Sequence, residues 1–269
     1  MIDEFGISDI GRRRSLNEDS LLIDKTVGLY VVADGMGGHN AGEVASRMAV
    51  EAVSRFIHRS QADEEISWPL GVDTELSLNT NRLRTGVMLA NKRVWKEAES
   101  HKDYTGMGTT IVAALAEADA DVVTLCSAGD SRAYRLRGQE LQQVTTDDSW
   151  TQVATSKGIL KSENVKNYPM KNILTKALGL RETIELSPSD ETMEEGDLYL
   201  LCSDGLHGML SDSGIRDILL GAEGDLKKAV SNLIEAANEE GGKDNITAVV
   251  FRYRKPQRGL AERRDENDR

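Results

Sequence analysis

The chain has 269 residues, a formal net charge of −12, 39% hydrophobic residues and only 4% aromatics. A chain of this length buries roughly three quarters of its unfolded surface, so the core has to be built mainly from Leu, Val, Ile, Ala and Met. The acidic surplus argues against a nucleic acid or an anionic membrane as partner, because their phosphates would be repelled.

MIDEFGISDIG at the start lacks the basic and apolar regions of a signal peptide. No window approaches the ~18 apolar residues of a spanning helix. Two cysteines, Cys126 and Cys202, sit inside apolar runs without CxxC spacing, so neither zinc nor a disulfide framework is indicated. The chain reads as soluble and cytoplasmic.

Taken in order, strands are expected at 20–24 and 29–33 and a helix over 43–58, with Val44, Met48, Val53, Phe56 and Ile57 on one face. A second helix follows over 82–99, then strands at 110–116, 121–128, 132–136 and 197–202. A third helix over 226–240 has Gly241 just past its end, and a strand at 246–253 closes the pattern. Paired strands separated by long helices suggest sheets flanked by helices rather than regular βαβ alternation. Residues 146–181 are polar and weakly periodic and read as a flap inserted into a single domain spanning 1–254. The charged tail 255–269 reads as disordered.

Acids recur at the mouths of the apolar strands. LYVVADG ends at Asp34, VVTLCSAGDS at Asp130 and LYLLCSDG at Asp204, while Asp19 and Asp244 stand just before strands. Singly, each Asp beside Gly reads as a turn. Jointly, like-charged carboxylates repel and hold protons unless cations neutralise them. Oxygen-only ligands suit Mg²⁺ or Mn²⁺ better than Zn²⁺, and Gly35 would let a backbone carbonyl approach an ion.

The motifs RSLNED (14–19), VADGMGGH (32–39), GMGTT (106–110), SAGDSR (127–132), CSDGL (202–206) and KDNIT (243–247) stand in the order seen in the metal-dependent, type 2C serine/threonine protein phosphatases. The chain resembles the compact bacterial form of that family. The resemblance implies an α+β fold, a four-layer α-β-β-α sandwich of two antiparallel sheets flanked by helix pairs. It implies a phosphatase acting on phosphoserine and phosphothreonine in proteins through a metal-activated bridging water, opposing a bacterial kinase, and nothing demands more than a monomer. By the same resemblance Asp34 bridges two Mn²⁺ or Mg²⁺ ions, with the Gly35 carbonyl on one of them. Asp204 and Asp244 hold the first ion, and Asp19 lies near the second, with Glu18 helping through water. Asp130 joins Asp204 at a weaker third site. Arg14 holds the substrate phosphate, its planar guanidinium matching two oxygens. Asn245 organises the Asp244 turn, and His39 is the candidate acid for the departing alkoxide. His58, His101 and His207 read as surface or packing residues.

Three other readings are weaker. Cys126 to Arg132 matches the C-x5-R loop of cysteine-dependent phosphatases, but Asp130 would place a negative charge in that loop and an apolar strand would raise the thiol pKa. A non-catalytic module of the same fold, or a phosphatase of small metabolites, are the functional alternatives. Asp148 and Tyr168 depart from the family's commoner Asp-His-Ser triplet and His-Pro pair in the flap.

Overall fold

In the computed structural model, residues 1–38, 41–63, 66–161, 168 and 173–255 are described. Two antiparallel sheets face one another. One has the order β1 (Ile2–Asp9), β11 (Ile246–Tyr253), β10 (Leu198–Cys202), β7 (Arg132–Arg137) and β8 (Glu140–Gln143). The other runs β2 (Asp19–Asp24), β3 (Leu29–Met36), β5 (Ile111–Glu117), β6 (Val122–Ala128) and β9 (Ser189–Thr192), with the short β4 (Gly108–Thr109) also on β3.

Why the layers form follows from the strands. In β3, Leu29 to Ala33 is buried without a break, the signature of a strand covered on both faces. Tyr30 and Val32 point between the sheets and meet Tyr199, Leu201, Val249 and Phe251. Leu29, Val31 and Ala33 point outward beneath α1 (Ala41–Ala62) and α2 (Leu78–Ser100). The other sheet is covered in the same way by α5 (Asp212–Gly221) and α6 (Leu226–Glu239). Alanines at 45, 49, 90 and 113 occur in the outer core and let helix and sheet backbones approach closely. The result is the four-layer α-β-β-α sandwich.

Three aromatics stack where the sheets meet. Phe251 stacks on Tyr30 with ring centroids 4.3 Å apart and on Tyr199 at 5.0 Å. Helix starts are capped by side chains: Ser77, Ser211 and Asp225 accept from the backbone N–H groups of Thr80, Gly214 and Lys228.

Both early helices extend past the expected limits, to 41–62 and 78–100. Four strands lie outside the sequence-derived set: β1, β4, β8 and β9. The edge strands β1, β8 and β9 are short or rich in polar residues, so hydrophobic alternation barely marks them. The short helices α3 (Trp150–Ser156), α4 (Asp204–His207) and α5 were likewise unmarked. Within 146–181, α3 and isolated bridges Ser149–Leu174 and Thr109–Leu178 are described, and Tyr168 stacks on Trp150. Pro169 and residues 256–269 lie outside the described residues.

Phe251 is fully buried between two rings, so Phe251→Ala is expected to lower the unfolding free energy by about 3–5 kcal/mol, checked by guanidinium denaturation.

Candidate metal centre

Strand register brings the acids together. Asp19 opens β2 and Asp34 lies near the end of β3, and the two are direct partners across the antiparallel ladder. Side chains so paired have Cβ atoms ~5 Å apart, and like charges there are destabilising. Asp204 opens α4, immediately after β10, while Asp130 follows β6 and Asp244 precedes β11. All five converge. Burial first, then Asp19, Asp204, Asp244 and Asp130, hold the Asp34 carboxyl far above the ordinary carboxylate range. Burial likewise pushes Asp19 up to about 6 and Asp130 up to about 7, and raises Asp204 together with the nearby charge of Asp244.

Among the described residues, two other acids are fully partnered, the buried Asp197 and the more exposed Asp190. Asp197 is 1% exposed at its side chain but holds Arg137 through two short bonds, 2.8 and 2.6 Å, and accepts from the Glu194 N–H. Asp190 accepts from the Thr80 and Thr124 hydroxyls. The site acids differ. Asp19 Oδ2 accepts from Thr247 Oγ1 (2.6 Å) and Ser203 Oγ (2.8 Å), but its Oδ1 is buried with no partner. Asp204 Oδ1 and Glu18 Oε1 are buried and unpartnered in the same way. Three orphaned anionic oxygens at one mouth fit a hard dication, which would replace the missing hydrogen bonds. Among the described residues, no three His, Cys, Asp or Glu side chains enclose an ion unaided. Backbone oxygen and water would have to complete any coordination sphere, as Mg²⁺ usually requires.

Glycine shapes the floor. A Cβ on Gly35 would fall 2.0 Å from the Gly42 carbonyl oxygen and 2.7 Å from that of Glu18, so only glycine lets β3 meet the start of α1 there. The Gly35 N–H donates to the Glu18 carbonyl (3.1 Å), and the Asp34 carbonyl accepts from Thr110 N–H (2.8 Å) and Thr109 Oγ1 (2.9 Å). Asn245 clips the remaining loop: its Oδ1 accepts from Glu18 N–H, and its Nδ2 donates to the Ile10 and Leu16 carbonyls. The Asn245 N–H donates to Asp244 Oδ1 at 2.9 Å.

Arg14 lies at the same mouth, its guanidinium 2.7 Å from Asp244 Oδ2 and 46% exposed at the side chain. It is accessible to an incoming anion. His39 lies outside the described residues. His58 pairs with Asp24 and His101 with Glu97, both away from the acids. His207 is half-buried, and its Nε2 donates to the Asp130 carbonyl at 2.9 Å. Burial first and then the nearby Arg132 push its imidazole down to about 4, so it is neutral.

Sequence reasoning did not assign Thr247, Ser203, Thr109, Thr110 or Gly42 to the site, and read His207 only as a surface or packing residue. The hydroxyls carry no charge signal, although KDNIT, CSDGL and GMGTT enclose four of them. The Asp148 carboxylate accepts from the Gly129 N–H (3.3 Å) and pairs with Lys176 (3.0 Å), joining the Asp130 loop to both ends of the flap segment. The C-x5-R reading fails on both partners: burial pushes the Cys126 thiol up to about 12, and Asp147 takes the Arg132 guanidinium through bonds of 2.9 and 2.7 Å. A cavity of about 550 Å³ lined by Glu4, Lys25, Tyr30 and Arg82 contains none of these acids, so charge rather than hollow size locates the site.

The protein phosphatase 2C family pattern matches residues 10–250, and the chain belongs to that family. It is 37% identical to the serine/threonine phosphatase stp of Listeria welshimeri over 259 residues, 94% of this chain and 96% of that one. Its fold is similar to the crystal structure of the Mycobacterium tuberculosis serine/threonine phosphatase PstP/Ppp, with a TM-score of 0.80 at 34% identity, covering 94% of this chain and 99% of that one. It is similar also to the PstP catalytic domain in complex with two manganese ions, with a TM-score of 0.77 at 33% identity, covering 93% and 97%.

Raised acids make the ion-free protein sensitive to alkali. An Asp titrates near 3.9 when unfolded, and Asp19 near 6 and Asp130 near 7 when folded. Between these values the folded state binds more protons than the unfolded one, so this contribution to stability is full below about pH 4 and lost as pH rises through 6 and 7. In chelator, wild type should therefore lose several degrees more in Tm than Asp130→Asn between about pH 5 and about pH 8, read by calorimetry.

Proposed function

We propose that this protein hydrolyses phosphoserine and phosphothreonine esters on proteins, using divalent cations held by Asp34, Asp19, Asp204, Asp244 and the Gly35 carbonyl. The single observation that carries the reading is the set of buried, unpartnered carboxylate oxygens of Asp19 and Asp204 facing Asp34. Bound Mn²⁺ or Mg²⁺, two ions with a third at Asp130 and Asp204, would supply an activated water and neutralise charge on the phosphoryl oxygens.

This chain's residues do the rest. The buried strands fix the acids, so little reorganisation is needed as charge develops. Asp19 is held through Oδ2 by Thr247 and Ser203, which leaves Oδ1 aimed at the site. Arg14 exchanges Asp244 for two phosphate oxygens, orienting phosphorus for in-line attack. As the phosphorus–oxygen bond to the Ser or Thr side chain breaks, His39 gives its proton to the departing oxygen; its place five residues beyond Asp34 motivates the assignment. Glu18 helps from the α1 side, and Asn245 keeps the Asp244 turn in register.

The substrate class is phosphoprotein, opposed to a serine/threonine kinase, and the chain acts in the cytoplasm as a monomer. It is one catalytic domain over 1–254 with a flap at about 146–181. No helix among the described residues is long and apolar enough to cross a membrane. A non-catalytic module is not favoured, because each acid and Arg14 are present.

Phosphate release from phosphothreonine peptides should require Mn²⁺ and stop in EDTA. Asp34→Asn should lower kcat by at least about 10³-fold and Arg14→Ala should lower kcat/KM by roughly 10²-fold. Cys126→Ser should stay active. EDTA-resistant turnover would remove the ion-assisted reading, and a dead Cys126→Ser enzyme that remains folded would restore the thiolate one.

A further inference from the structure

The short helix α4 and its N-cap meet the acid cluster at several points. Ser203, at its N-cap, turns its hydroxyl away from the helix and onto Asp19. Asp204 opens the helix. A Cβ on Gly205 would fall 1.9 Å from the Asn245 carbonyl oxygen, so the helix is seated hard against the Asp244–Asn245 turn. Leu206 is fully buried in the outer core. His207 then reaches across to the Asp130 carbonyl at 2.9 Å.

We propose that His207 is a positioning residue that ties the Asp130 loop to the helix carrying Asp204, so that one short turn sets the spacing of these two acids. A carbonyl oxygen can only accept, so Nε2 bears the proton and the bond has one direction. The tether is needed because the loop before β7 has little else on this side. Gly129 stands at φ +107°, outside the region side chains favour, and its backbone groups bond Asp148, which belongs to the flap base rather than to α4. Ser131 turns instead to Thr110, near Asp34. Asp130 is thus held from the flap through its neighbour and from α4 through its own carbonyl. Without the imidazole, Asp130 would keep its neighbours' bonds to Asp148 and Thr110 but lose its direct bond to the helix that carries Asp204. The consequence for ions rests on the proposed reading of Asp130 and Asp204 as ligands of the weakest-bound cation.

The test compares His207→Gln with His207→Met in the full chain. Both fill space, and only Gln carries an N–H near the position of Nε2. Hydrogen exchange in chelator is expected to speed up across 129–132 by roughly fivefold or more in the Met variant, the scale of one lost hydrogen bond, and to stay near wild type in Gln. Mn²⁺ titration by calorimetry should show the weakest step loosened by a similar factor in Met alone. Equal exchange in the two variants overturns the tether, since a purely space-filling role would not separate them. Faster exchange in Met with an unaltered ion step overturns the coupling to ion binding. Asp130→Asn, run alongside, tests the underlying reading separately: a weakest ion step that survives this change overturns Asp130 as a ligand, while the exchange comparison still judges the tether.

Discussion

The structure depends on one unfavourable contact, the pairing of Asp19 with Asp34 across β2 and β3. Two carboxylates in register on a half-buried ladder repel, and the pair is surrounded by Asp204, Asp130 and Asp244. A protein accepts such a cluster only where the surrounding elements over-determine it. Here that rigidity comes from strands buried on both faces and from two sheets pressed together through Tyr30, Phe251 and Tyr199. The hydrophobic core is therefore what keeps the acids together when no cation does.

Hydroxyls and amides divide the labour inside the cluster. Thr247 and Ser203 occupy one oxygen of Asp19, and Thr109 and Thr110 hold the backbone of Asp34, so orientation is set by neutral groups. A Lys or Arg in those positions would satisfy the charge and abolish the attraction for a cation. Asp197 with Arg137 shows that alternative elsewhere in the same molecule. Arg14, a cation at the mouth, is half exposed and paired with Asp244, from which it can turn toward solvent.

Much of this was legible in the sequence. Asp34, Asp130 and Asp204 stand out because each interrupts an apolar run, and the long helices and central strands have clear periodicity. The edge strands did not, since IDEFGISD and SDET mix charge with short side chains and gain order from pairing with β11 and β6. Nor could charge pattern separate Asp19 from Asp197: both are buried acids, and only the fold decides that one meets an arginine and the other two hydroxyls. His207 was missed for a similar reason, because its partner is a backbone carbonyl 77 residues away, which no motif encodes.

The first strand pairs along its whole length with the last, Ile2 opposite Tyr253 through Asp9 opposite Ile246, and Asn245 clips the loop that follows β1. The β2-β3-β5-β6 ladder can form early in synthesis, but β1 has no partner until β11 leaves the ribosome. Asp19 lacks Thr247, and Arg14 lacks Asp244, until the same moment. The paired acids of β2 and β3 are thus made before Thr247 and Asp244 exist to meet them, and the acid cluster closes only when the first and last strands of the sandwich pair.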